Sequence, residues 1–170
     1  MSATSLRQLG LPPISQLGHV VRDLPAAMAL YEPLYGPFTT MDGTVQAATY
    51  RGRSADVKLA MAFGHSGDLE IELIEWQGGE SPHREFIERG REGIHHVQFR
   101  VEDADGWIGK VKPLGYEVIW YKRYSADTTF AYLERRNGPA LVEFLQVRPG
   151  GAGAAAGTRR ISPIAWPSPM

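Results

Sequence analysis

The sequence predicts an α+β fold of two βαβββ modules that come together as a half-open mixed β-barrel. Three observations predict it. Two weakly similar halves each open on a strand-like run that ends in aspartate. Each half then passes through a helical stretch into three further strand-like runs. The last of these runs, in both halves, sets a glutamate among apolar residues.

The opening runs are 14–23 and 94–103. Asp23 and Asp103 close them with short acidic side chains suited to capping the free amides of a helix start. Gly36 and Gly115 are placed to close the two helices. Gln16 lies seven residues before Asp23, and His96 seven before Asp103, so the two occupy equivalent places on the opening strands. Strand-like runs follow at 45–50, 57–63 and 69–76, and in the second half at 116–121, 129–133 and 140–147. Gly, Pro, Asn and Asp separate most of them. Glu72 and Glu143, on the last run of each half, form a second equivalent pair. The modules therefore span 14–76 and 93–147, with a polar helical connector at 77–92. A Gly/Ala/Pro-rich tail at 148–170 is read as carrying no chemistry of its own.

Composition narrows the function. At 170 residues the chain can bury a real core. The formal net charge is -1, without the concentrated basic face that nucleic acid or an anionic membrane requires. With no cysteine, disulfides and thiol catalysis are excluded, and any metal must be bound through nitrogen and oxygen. No run approaches the roughly 20 apolar residues of a membrane span. The N-terminal stretch lacks the features of a secretory signal, so a cytoplasmic protein is expected.

Strand alternation then sorts the side chains. His96, Gln98 and Arg100 share a polar face opposite Val97, Phe99 and Val101. Glu70 and Glu72 oppose Leu69, Ile71 and Leu73. Glu143 shares its face with Leu141 and Leu145, where an unpartnered carboxylate would cost on the order of several kcal/mol, so it needs a cation or strong donors. A pseudo-twofold between the modules brings Gln16, Glu72, His96 and Glu143 to one cavity. One imidazole nitrogen, one amide oxygen and two carboxylates suit a single divalent ion, with room left in its shell for water or substrate. Gln98, Arg100 and an inward-pointing Lys58 are the candidate substrate-binding residues. His95 reads as packing or as support for His96. His19 reads as a non-ligand, although a one-residue bulge would exchange these roles. Glu70 and Glu75 read as solvated, Arg51, Arg53, Arg84, Arg89 and Arg91 as surface charges, and Trp107 and Trp120 as core or cavity wall.

The segments 21–28, 69–74, 93–99 and 141–146, in register with the repeat, resemble the vicinal oxygen chelate superfamily. That superfamily includes glyoxalase I, methylmalonyl-CoA epimerase, extradiol dioxygenases and bleomycin-resistance proteins. The resemblance implies metal ligands on the first and last strands of each module, which again gives Gln16, Glu72, His96 and Glu143, a set similar to that of zinc-type glyoxalase I. It implies a metal-dependent lyase or isomerase in which the ion chelates two vicinal substrate oxygens and stabilises an enolate. Glu143, with Glu72 as its counterpart, would move the proton next to the carbonyl. Zinc is favoured slightly over nickel, cobalt, manganese or magnesium, and a homodimer is implied. Two alternatives stand beside this: a metal-free binding or resistance protein using the same cavity, and a CoA-thioester epimerase. Against the epimerase, its second catalytic acid aligns with Lys58, and it usually has His at the place of Gln16.

Overall fold

The computed structural model describes residues 6–149; the tail expected at 148–170 lies outside them from residue 150 onward. The first module contains β1 (Gln16–Val21), α1 (Leu24–Tyr35), β2 (Thr39–Asp42), β3 (Val45–Tyr50), β4 (Arg53–Ser66) and β5 (Leu69–Gly79). The connector is α2 (Pro82–Glu88). The second module contains β6 (Gly93–Val101), α3 (Ala104–Val111), β7 (Tyr116–Arg123), β8 (Thr128–Arg135) and β9 (Leu141–Val147). Among the described residues no helix is long and apolar enough to cross a membrane.

Both aspartates cap their helices. Asp23 accepts from the Ala26 amide at 2.9 Å, and Asp103 from the Gly106 amide at 3.0 Å. The two closing glycines differ. Gly115 adopts the left-handed φ of 84° that favours glycine, whereas Gly36 has φ -71°. What Gly36 supplies is room, since a Cβ there would overlap the Glu32 carboxyl group.

The strands follow the order β2-β4-β3-β7-β8-β9-β6-β1-β5, and β5 returns to pair with β4. Eight strands thus form a ring, with β2 added along the edge of β4. The sequence reading omits β2, a short and largely exposed run without apolar alternation. It can pair because β4 is 14 residues long and carries β3 and β2 in succession. The ring is joined broadly where β1 and β6 run antiparallel through five residue pairs. It is joined narrowly where β3 and β7 share only two, which leaves the barrel half-open.

Each module pairs its first and last strands in parallel, and the registers match. Gly18 stands opposite Glu72 in one, and Gln98 opposite Glu143 in the other. Ile71 and Leu73 turn outward under α1, as Phe144 and Leu133 do near Trp107 of α3. Each such fully buried side chain contributes roughly 1.5–3 kcal/mol. These two outer layers fix which face of each strand looks into the barrel.

Candidate functional site

His96 is the centre of the site. It stands opposite Gly18 across the β1–β6 join, and a Cβ on Gly18 would overlap its ring. The register shifts between Gly18 and His19, so that His19 faces Ile94 and His95 is the extra residue. This bulge leaves His96 on the barrel face and turns His95 toward α2, where it packs on His83 and Phe86. His19 lies against Tyr31 of α1, away from the site.

Three side-chain oxygens converge on His96 Nε2. Glu72 Oε2, Glu143 Oε2 and Gln16 Oε1 each lie 3.3 Å from it, and the Tyr132 hydroxyl lies at 3.4 Å. All four sequence-selected residues, Gln16, Glu72, His96 and Glu143, are therefore brought together, and all are buried. A ring of hydrogen bonds orients them. Glu70 accepts from Gln16 Nε2 at 2.7 Å, which turns the Gln16 amide oxygen toward His96. Gln98 Nε2 donates to that oxygen at 2.9 Å and to Glu143 Oε2 at 3.1 Å, while Ser15 Oγ donates to Gln98 Oε1 at 3.2 Å.

The electrostatics follow from this geometry. Burial by itself would lower the His96 ring, but the Glu143 and Glu72 carboxylates outweigh it and push the ring up to about 9. Glu72 is raised, chiefly by burial. Tyr132 is held well above the usual phenol value by burial and by the two carboxylates. His95 is kept neutral by burial, and its Nδ1 lies 3.1 Å from His96 Nδ1. A neutral His95 that gives its other N–H to the Pro82 carbonyl can accept a hydrogen bond from His96 Nδ1–H. That arrangement directs Nε2 at the oxygens.

By chemical type, one imidazole nitrogen and three oxygens are donors that a divalent ion takes. Adjacent donors on one ion with bonds near 2.1 Å lie about 3.0–3.4 Å apart, and the three oxygens stand at 3.3 Å from Nε2. Two carboxylates would balance the dication. Among the described residues, however, no group of three or more His, Asp or Glu side chains is arranged so that it could hold a metal ion; the oxygens close directly on the ring nitrogen instead.

The site opens into a cavity of about 320 Å³. Its floor is Gln16, Glu72 and Glu143; its walls are apolar and aromatic, including Leu59, Phe63, Phe130 and Tyr132. Arg100 lines it at the exposed end, 3.9 Å from Glu70. Two sequence expectations change. Lys58 is exposed and absent from the lining, because the buried neighbours Val57 and Leu59 take the inward positions. Gln98 lines the cavity, yet its amide is already engaged by Gln16, Glu143 and Ser15.

The sequence reading also misplaced or missed other members. Glu70 is buried and bonded to Gln16 rather than solvated; its place two residues before Glu72 was the available signal. Glu75 accepts from the Leu24 amide at 2.7 Å at the start of α1. Tyr132 and His83 carried no signal of their own, since strand curvature and the seating of α2 bring them in. Arg51 bridges Glu85 of α2 at 2.6 Å and Glu134 of β8 at 2.9 Å, which ties the connector to the barrel. Three buried polar atoms of lining residues, His83 Nε2, Trp120 Nε1 and Thr128 Oγ1, have no hydrogen-bond partner. Each such group costs about 1–3 kcal/mol when left unpaired.

Fold, repeat register and cavity together define a vicinal-oxygen-chelate type of protein. The chain belongs to the glyoxalase/bleomycin resistance protein/dioxygenase superfamily, whose family model matches residues 15–132. Members of this superfamily are commonly enzymes and often bind a divalent metal. Among solved structures, a hypothetical protein from Bacillus halodurans is similar at 23% identity and a TM-score of 0.59, covering 82% of this chain and 96% of that one. A methylmalonyl-CoA epimerase variant from Streptomyces coelicolor, bound to 2-nitronate-propionyl-CoA, is similar at 22% identity and TM-score 0.56, covering 82% and 96%. The Mycobacterium tuberculosis methylmalonyl-CoA epimerase is similar at 19% identity and TM-score 0.56, covering 88% and 94%. No curated protein matches the chain in sequence.

Proposed function

We propose that this protein is a divalent-metal-dependent lyase or isomerase that moves a proton next to a carbonyl of a small molecule. In this reading Gln16, Glu72, His96 and Glu143 hold the ion. The observation that carries it is the convergence of three side-chain oxygens, each 3.3 Å away, on one fully buried imidazole nitrogen. When bound, a divalent ion supplies Lewis-acid polarisation of a substrate carbonyl.

The chain's own residues supply the rest. Glu143 lines the cavity beside the apolar Leu145 and is the base that takes the substrate proton. Gln98 steadies its Oε2 and so fixes where the other carboxylate oxygen can reach. Glu72, the counterpart of Glu143 on the last strand of the first module, is the second carboxylate at the site and the candidate for returning the proton. Tyr132 stays neutral and can donate its hydroxyl proton to a neighbouring oxygen. The aromatic and aliphatic walls keep bulk water from the transferred proton.

The test is solvent exchange. Protein reconstituted with single divalent ions is incubated in D2O with the hemithioacetal of methylglyoxal and glutathione, with methylmalonyl-CoA and with simple α-hydroxy ketones, and label at the carbon next to the carbonyl is followed by NMR. At least one substrate should exchange, and Glu143→Gln should lower its rate about 10²–10⁴-fold. Exchange that is equally fast in the variant would refute Glu143 as base. Methylmalonyl-CoA is included because epimerases of that substrate are among the structural neighbours. With Lys58 aligned at the second acid and exposed outside the lining, exchange of this substrate is not expected.

A further inference from the structure

The unpaired polar atoms of the cavity wall come from three elements: His83 from α2, Trp120 from β7 and Thr128 from β8. All three residues are at least nine-tenths buried and line the same cavity as Glu72 and Glu143. The other unpaired side-chain atoms among the described residues, in His19 and Thr129, belong to residues outside this lining. Their concentration in one cavity lining points to a ligand that satisfies them.

The hydrogen-bonding sense of the wall can be worked out. Trp120 Nε1 can only donate. Ser81 Oγ accepts from the Arg84 amide at 3.4 Å and keeps its own proton, which it can donate to His83 Nδ1, 3.3 Å away. In the tautomer that accepts this bond, His83 carries its proton on Nε2, a second donor to the cavity. Burial keeps this ring neutral, pushing it down to about 3. The His83 and Trp120 rings meet edge to face with centroids 5.2 Å apart, so the two donors belong to touching groups. Thr128 adds a hydroxyl elsewhere on the lining, four residues along β8 from the Tyr132 that touches both rings.

The charge of the cavity then selects the ligand. Its charged lining residues are Asp42, Glu70, Glu72 and Glu143, against Arg100 alone. Even with the two charges of a divalent ion counted beside Arg100, the four acidic side chains leave the cavity net negative, and neutral donors there disfavour a carboxylate or phosphate and suit an uncharged oxygen acceptor. We propose that the touching His83–Trp120 pair recognises an uncharged carbonyl oxygen, of a ketone, ester or amide, carried by a largely apolar part of the substrate inside the barrel, with the Thr128 hydroxyl a further polar contact on the lining. This deepens the reading of the same cavity given above and names its substrate class. At about 320 Å³ the space lies at the small end of ligand pockets.

The test uses the full chain, labelled with ¹⁵N at the tryptophan indoles, and three probes of similar shape: acetophenone, ethylbenzene and benzoate. The Trp120 indole signal is assigned by its loss in Trp120→Phe. Acetophenone should shift this signal and bind about tenfold more tightly than the other two probes. Trp120→Phe should abolish that preference, and Thr128→Val, a near-isosteric change, should reduce it. An unmoved indole signal, no saturable binding of acetophenone, or equal or tighter binding of ethylbenzene or benzoate would overturn the proposal. Metal content is measured on the same samples. A protein that takes up a divalent ion but shows no carbonyl preference overturns the wall and leaves the metal reading standing; carbonyl preference without metal uptake does the reverse.

Discussion

The opening strands of the two modules, β1 and β6, occupy equivalent places and carry different chemistry. At the first equivalent position β1 offers the amide of Gln16 and β6 the imidazole of His96. At the second, β1 has Gly18 and β6 has Gln98. Because the strands run antiparallel, Gln16 faces Gln98 and Gly18 faces His96 across the join. Gln98 can therefore reach Gln16 and Glu143, while Gly18 leaves the space that the His96 ring occupies. Side chains at both second positions would crowd the ring out. Glycine at both would leave Gln16 and Glu143 without their shared donor. A duplicated fold supplies symmetric places, and the difference between Gly18 and Gln98 turns them into a single centre.

That comparison can be broken directly. Gly18→Ala should displace the His96 ring, destabilise the protein by about 1–3 kcal/mol through overpacking, and remove divalent-ion uptake; urea melts and metal titration check this. Gln98→Gly, at the equivalent place, should leave the ring seated and weaken ion affinity about 10–100-fold. Equal behaviour of the two variants would show that the modules contribute alike.

The buried histidines sharpen it in a second way. His96, of β6, is pushed up to about 9 by Glu143 and Glu72 against the effect of burial, and His83, of α2, is pushed down to about 3 by burial. For His96 the folded value exceeds the ordinary 6.5, so its stabilisation is full below that pH and is lost as pH rises through about 9. For His83 the folded value lies below it, so its stabilisation is full above pH 6.5 and is lost as pH falls toward about 3. Urea midpoints of metal-free protein should therefore fall on both sides of neutrality, and His83→Gln should flatten the acid limb only.

The smallest expected effect concerns the caps. Asp23→Ala and Asp103→Ala should each cost about 1 kcal/mol, because both side chains accept one amide at 2.9–3.0 Å. Thermal melts of the two variants should coincide; a large inequality would show that one helix start depends on contacts beyond its cap.

Much of this was legible in the sequence because repeats encode register. The seven-residue spacing to each aspartate placed Gln16 and His96, and strand alternation placed Glu72 and Glu143 on the barrel face. Lys58 was not legible. The β4–β5 pairing shifts register between Lys58 and Leu59, and inward positions go to Val57 and Leu59. β2 was not legible either, since its pairing depends on the length of β4 rather than on its own residues. The roles of Glu70 and Gln98 as supports appear only once distances are known. His83 enters from a connector whose seating is fixed by tertiary contacts such as the Arg51 bridge.

The central claim is that Gln16, Glu72, His96 and Glu143 form one divalent-ion centre. The most direct measurement is elemental analysis of the gently purified chain, before and after chelation and reloading, beside His96→Ala and Glu143→Gln. About one ion per chain in the parent, lost in both variants, is the predicted result. A parent that takes up no ion, or variants that bind it as the parent does, would contradict the account.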